Sequence, residues 1–189
     1  FDREFGGFPK APKPIPQVIT VEPPQEGERR TMLRRPGTIG LVMVGYTRPG
    51  VSHPDFNPLE VLANVLSEGV NSRLYKALVE TRIATSVGAL NFSLRDPYPV
   101  IVHCTLAPGK THDEAERAIK AVLADVVANG ITAEELARAQ RQIEVAEIRT
   151  RDGTYSYAVN LGDAVASAHW KRFVTFVDDI RAVTVDDVK

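Results

Sequence analysis

Four histidines, His53, His103, His112 and His169, and one cysteine, Cys104, are all the imidazole and thiol ligands in the 189 residues. A zinc site gathers such groups, most simply as two histidines one helical turn apart. Neither HExxH nor its inverse, HxxEH, occurs anywhere. His112 and Glu116 share a helix face, but Thr111-His112-Asp113-Glu114 reads as a capping box, and acids in a first turn suit the helix dipole. His103 alternates with apolar neighbours and reads as a core or interface histidine. His53, before Pro54, and His169, beside Trp170, read as surface or interface residues. Cys104 sits in PVIVHCTLA and reads as a buried, inert thiol; as a single cysteine it excludes an internal disulfide. No GxSxG, GxGxxG or GxxxxGK is present. The carboxylates lie at ion-pair spacing on helix faces. By its own chemistry the chain offers no catalytic residue and no metal ligand set.

Composition narrows the field further. Hydrophobic content is 43%, charged content 25% and net charge −1, so no basic field exists to gather nucleic acid or an anionic membrane surface. No apolar run approaches the roughly 20 residues of a membrane-spanning helix. Phe1 opens the chain without an initiator methionine or a signal-peptide pattern, and Thr184-Val185-Asp186-Asp187 is a helix cap with almost no body after it. Both ends read as cuts in a longer protein.

The elements that would carry any site follow from periodicity. Six of the 13 prolines fall in residues 8–24, FPKAPKPIPQVITVEPP, which predicts an extended, polyproline-like strap. Residues 1–28 therefore read as the end of a preceding domain plus its linker, and 29–189 as a domain. RRTMLRRP is expected as a first strand, then a turn at Pro36-Gly37. TIGLVMVGYTRP is expected as a strand covered on both faces or central in its sheet, with Ile39, Leu41 and Met43 opposite Val42, Val44 and Tyr46. Leu59, Leu62, Ala63 and Leu66 predict a helix over 56–67. Ser72 is the expected N-cap of a helix carrying Leu74, Ala77 and Leu78. Residues 84–94 and 99–107 read as strands joined at Arg95-Asp96-Pro97-Tyr98. Capping boxes at Thr111 and Thr132 open two long helices, the first stopped at Asn129-Gly130. Glu134–Arg138 and Glu147–Arg151 are i,i+4 supports for the second. Helices over 154–167 and 172–182 complete the set. Strands and helices so segregated imply an α+β fold, an antiparallel or mixed sheet with helices on one face.

One stretch adds a resemblance. NSRLYKALVETRIATSVGAL, Asn71–Leu90, runs from a polar turn through SRLY and a helix into ATSV. In that form it resembles the pitrilysin/insulinase zinc metallopeptidases, the HxxEH group that includes the processing-peptidase-like proteins. FGGFPKAPKP with VEPPQEGERR resembles the strap between the first and second domains of bacterial members. TIGLVMVGYTRPG with HPDFNPLEVLANVLSEG resembles the start of the second domain. ITAEELARAQRQIE and VTVDDV resemble its later helices. The likeness runs over nearly the whole chain, through the order and spacing of motifs that are each short.

The resemblance implies the second, metal-free domain of a bacterial endopeptidase, in periplasm or cytoplasm. Zinc is then expected in the missing N-terminal domain, and no cofactor in this piece. The implied partners are that domain or a homologous subunit, in a homo- or hetero-dimer, and a peptide substrate. No nucleic acid and no membrane span enter. In the family an arginine and a tyrosine seven positions apart at this helix–strand junction reach the substrate. Aligned through ATSV, those places hold Leu78 and Thr85. Leu78 has no donor, so Arg82 and Thr85 are the candidate substrate-binding residues. The glycine-rich loop of the processing-peptidase partner subunit is replaced by Glu68-Gly69-Val70-Asn71. A non-catalytic scaffold or partner subunit is the alternative, and an unrelated α+β binding domain a third reading.

Overall fold

The structure is a computed structural model that describes residues 2–9, 12–14, 16 and 23–189. It divides into two units, Phe1–Pro36 and Gly37–Lys189. In the first, α1 (Asp2–Phe5) is a single turn. The expected polyproline strap overlaps residues 10, 11, 15 and 17–22, which lie outside the described residues. The expected first strand does not form: residues 29–36 join no strand of the described residues, and Met32 and Leu33 are 68% and 82% exposed. Four arginines in eight positions, ending at a proline, leave little apolar surface to bury and one donor fewer to pair.

The second unit holds one three-stranded antiparallel sheet, in the order β1 (Leu41–Arg48), β3 (Tyr98–Leu106), β2 (Ala84–Leu90). β1 is thus an edge strand, not a central one. Only one of its faces is covered. Val42 is buried, while Leu41 and Met43 stay 51% and 53% exposed. The run LVMV is apolar on both faces, and only the even-numbered face meets helices of this chain. On β3, Val102, Cys104 and Leu106 bury toward the same side.

Against that side pack α2 (Phe56–Ser67), the short helix Tyr75–Glu80 and α3 (His112–Asn129), through Leu66, Leu74, Leu78, Ala115, Ile119 and Val126. α4 (Ala133–Thr150) and α6 (Trp170–Ala182) build a second core behind α2, with Val61 and Val65 against Ala139, Ile143 and Ile180. α2 serves both cores because Val61/Val65 and Leu62/Leu66 are two adjacent i,i+4 stripes. α5 (Thr154–Ser167) buries no residue fully and leans on α6 through Tyr157 and Phe173, whose rings meet edge-on at 4.8 Å. No helix among the described residues is long and apolar enough to cross a membrane.

Both expected capping boxes form. Glu114 N–H donates to Thr111 Oγ1 at 3.3 Å and Thr111 N–H to the Glu114 carboxylate at 2.9 Å. The Thr132–Glu135 pair repeats this at 3.2 and 2.8 Å. Gly130 stops α3 at φ 72°, a value open to glycine without strain. Of the expected helix-face ion pairs, Glu147–Arg151 forms at 3.1 Å, while Arg138 Nη2 is buried without a hydrogen-bond partner among the described residues.

Two polar anchors link the layers. Arg48, 2% exposed at the end of β1, lies over the Phe56 ring at 3.5 Å and pairs with Glu60 at 2.9 Å. Gln140 donates to the carbonyls of Ile180, Arg181 and Val183 at 3.0, 3.2 and 3.0 Å, satisfying the C-terminal carbonyls of α6.

The helix–strand junction as candidate functional site

The four residues of SRLY each do something different. Ser72 is buried, and its carbonyl accepts the first helical bond, from Lys76 N–H at 3.1 Å. Its hydroxyl does not cap the helix as expected. It donates to Gly69 O at 2.8 Å and closes the 69–72 turn instead. Arg73 reaches across to the α3–α4 corner, donating to both Glu135 oxygens at 2.7 Å, to Gly130 O at 3.0 Å and to Asp125 at 3.0 Å. That guanidinium, ahead of all other causes, lowers the Glu135 carboxyl to about 2. Leu74 is fully buried in the core under the sheet, and Tyr75 lines a groove described below.

Beyond them the chain widens into a π-helix over Tyr75–Glu80. Ile83 N–H returns to Leu78 O at 2.9 Å, an i→i+5 bond, and Arg82 N–H to Val79 O at 3.0 Å. Thr81 Oγ1 donates back to Ala77 O at 2.6 Å. The exit into β2 requires a sharp reversal, which Arg82 makes at φ 59°. A non-glycine residue in that left-handed region is uncommon and carries strain. Ile83 then joins the sheet margin, its carbonyl accepting from Ala107 N–H at 3.0 Å.

β2 opens with a bulge. Ala84 pairs with Leu106 and Ser86 with Thr105, so Thr85 is the extra residue. Bulges re-aim a side chain out of the regular alternation. Ala84 is buried; Thr85 and Ser86 are both exposed. Thr85 Oγ1 lies 3.4 Å from Thr105 O, a long and weak contact. The structure therefore brings Arg82 and Thr85, both solvent-facing, to one four-residue stretch between helix and strand. The Arg82 side chain makes no hydrogen bond or ion pair among the described residues. Leu78 is fully buried against the sheet. It is a core residue, not a wall of any site.

Alongside β2 runs a groove of about 390 Å³, lined by Glu68, Gly69, Val70, Tyr75, Gly88 and His103. His103 is half-buried, and its ring lies over Gly88: a Cβ added there would sit 3.0 Å from Nε2. The pairing of His103 with Gly88 across the ladder explains the fit. In the sequence, residues 68–70 stand only where the resemblance puts a glycine-rich loop, and Tyr75 only within SRLY; neither marks a groove. The one signal was Gly88 inside an apolar strand, which marks a close approach. Cys104, next along β3, is fully buried, and burial pushes its thiol pKa up, keeping it protonated and inert.

Nothing at the junction resembles a nucleophile paired with a base. Among the described residues no three His, Cys, Asp or Glu side chains gather to hold a metal ion. The four histidines stand on separate segments: a loop, β3, the start of α3 and the turn before α6. The residues present do not fit zinc. What the junction offers is an exposed guanidinium and a hydroxyl beside an edge strand, groups that donate hydrogen bonds to carbonyls.

Comparison with known proteins bears on this geometry. The family model for the peptidase M16 inactive domain matches residues 1–143. A candidate zinc protease from Bordetella pertussis Tohama I is 32% identical over 81% of this chain and 85% of its own, with a TM-score of 0.73. The inactive peptidase domain of a candidate zinc protease from Bordetella parapertussis is 31% identical over 84% of this chain and 86% of its own, with a TM-score of 0.74. A protease from Helicobacter pylori shares the fold at a TM-score of 0.75 and 22% identity, and this chain spans 37% of its length. No curated protein matches.

Proposed function

Since the chain belongs to the peptidase M16 inactive-domain family, we propose that it is the substrate-enclosing, metal-free half of a zinc-dependent endopeptidase that acts on peptides or unfolded chains. The observation that carries this reading is the identity of 31–32% with domains of candidate zinc proteases, over most of both chains. On this reading 1–28 link to a preceding domain and 29–189 form the inactive domain. The zinc ion and its chemistry belong to the counterpart, and no step of the cleavage runs through this chain's own side chains.

This half binds. Arg82 and Thr85 donate to carbonyls of the enclosed peptide, which their exposure and the strained turn at φ 59° support. The open face of the sheet, where Leu41, Met43 and Leu90 are 51%, 53% and 38% exposed, docks on the counterpart domain or subunit.

A scaffold or partner subunit without catalysis is the second reading, favoured by the burial of Leu78 where the family's arginine would stand. An HxxEH motif in the counterpart separates the two. The decisive assay takes the two-domain protein, or this chain mixed with its homologous partner, on unstructured peptides with and without a chelator. Cleavage that the chelator abolishes is the expected result. Cleavage that ignores the chelator, or none in any combination, overturns the endopeptidase reading.

A further inference from the structure

Between α2 and α4, with Phe176 of α6 at one side, lies a cleft of about 720 Å³ that shares only Glu68 with the groove at β2. Three buried polar atoms in it have no hydrogen-bond partner among the described residues: Asn64 Oδ1 from α2, and Arg138 Nη2 and Gln142 Oε1, one turn apart on α4. A buried polar group left unpaired is destabilising, so three converging on one cleft point to an occupant that pairs them.

The charges indicate what that occupant carries. Of the three carboxylates on the lining, Glu60 is committed to Arg48 at 2.9 Å and Glu147 to Arg151 at 3.1 Å. Neither of those arginines lines the cleft. Arg138, Arg141 and Arg149 do, and no ion pair engages them among the described residues. Three guanidiniums thus face Glu68 alone. The surplus is cationic, while the two unpaired amide oxygens need donors. A simple anion satisfies the first requirement and fails the second. A polypeptide stretch rich in Asp and Glu satisfies both, with side-chain carboxylates for the guanidiniums and main-chain N–H groups for Asn64 and Gln142. Ile143, Ala146 and Phe176 give its aliphatic carbons an apolar floor.

We propose that this cleft is a docking site for an acidic segment of a partner polypeptide, distinct from the junction at Arg82 and Thr85. The proposal does not depend on the endopeptidase reading. Bidentate guanidinium–carboxylate pairing provides the recognition, and the cationic surplus selects the sign of the partner.

The test uses the whole 189-residue chain and a fluorescein-labelled peptide of alternating Glu, Asp and Gly, read by fluorescence anisotropy. Its controls are the same peptide with Gln and Asn, and with Lys. Only the acidic peptide is expected to bind, and more weakly as salt rises. The double variant Arg138→Gln/Arg141→Gln is expected to lose about tenfold in affinity. Arg117→Gln, on α3 outside the cleft, leaves it unchanged. Asn64→Leu/Gln142→Leu is expected to weaken binding about fivefold while raising the melting temperature by about 3 °C, because the unpaired atoms are gone. A purely structural pair of amides would not couple those opposite changes. Equal binding of all three peptides, binding by none, or full affinity in the arginine double variant overturns the proposal. So does displacement by inorganic phosphate or by an oligothymidylate at the acidic peptide's own concentration. If the arginine variant fails to fold, the comparison of acidic with amide peptide on the unaltered chain decides alone.

Discussion

Arg73 holds Glu135 at two points, Nε to Oε1 and Nη2 to Oε2, both at 2.7 Å, across 62 positions of sequence. The pair ties the start of the helix that precedes β2 to the corner between α3 and α4. The same carboxylate also closes the capping box of α4. One acid therefore starts a helix and locates the helix–strand junction. Arg73→Met is expected to cost about 3 kcal/mol, since it leaves a largely buried carboxylate short of its main partner. Urea denaturation of the two single variants and of Arg73→Met/Glu135→Gln checks this. A coupling energy near zero in that double-mutant cycle would remove the tether.

Acid should reveal the same contact. The Glu135 pKa falls from 4.5 in the unfolded chain to about 2 in the fold. The folded state thus prefers the deprotonated form. This contribution is complete above pH 4.5 and is lost as pH falls from there toward 2. Its size is about 3 kcal/mol. Arg73 stays charged throughout. Chemical denaturation between pH 2 and pH 6 should show the loss in the native chain and a flatter profile in Glu135→Gln.

Gly88→Ala places a methyl group 3.0 Å from His103 Nε2. The ring must rotate away into the β2 groove. A cost of about 1 kcal/mol is expected, falling to nearly nothing in a His103→Ala background, because the strain lies in that one contact. Equal costs in both backgrounds would show that the glycine answers to the backbone alone.

Restoring arginine at Leu78 should fail. Leu78 is wholly buried against the sheet, packed in the apolar cluster that includes Leu74, Ala84 and Cys104. Leu78→Arg is expected to prevent stable folding, and Leu78→Ala to cost about 2–5 kcal/mol. Thermal melts of both variants test the assignment. A soluble, native-like Leu78→Arg protein would place that side chain at a surface.

Arg82 separates strain from function. Arg82→Gly should raise stability by up to about 1 kcal/mol, because glycine adopts a φ of 59° freely, whereas Arg82→Ala keeps the strain. In the two-domain protein both changes remove the guanidinium. If Arg82 meets the substrate, both should lower kcat/KM by about tenfold despite their different stabilities. Unchanged kcat/KM in both variants leaves Arg82 as a turn residue only.

Much of this fold was legible because its signals are local. The capping boxes at Thr111 and Thr132 and the stop at Gly130 lie within single turns of chain, and each forms. The α2 stripe gave the bounds Phe56–Ser67. The expectation for β1 failed for the opposite reason. Alternation shows that both faces of LVMV are apolar, but not whether a second layer or a further strand of the same chain exists to meet them. Ser72 was read as a cap because its type suits one. Its hydroxyl bonds Gly69 instead, a choice made by the 69–72 turn.

The candidate site divides in the same way. Arg82 and Thr85 came from motif order, but the features that expose them, a left-handed residue and a bulge, depend on how β2 pairs with β3. The three unpaired atoms of the α2–α4 cleft come from residues 64, 138 and 142; helical spacing puts Arg138 and Gln142 on one face, but no spacing rule connects them to Asn64. Residue type and periodicity by themselves determined the helices, their caps, the α+β class and the lack of a metal-ligand motif, since those depend on neighbours within a few residues. Which strand is an edge, which leucine is core and which guanidiniums face one another are set by contacts between distant segments, and only the tertiary structure decided them.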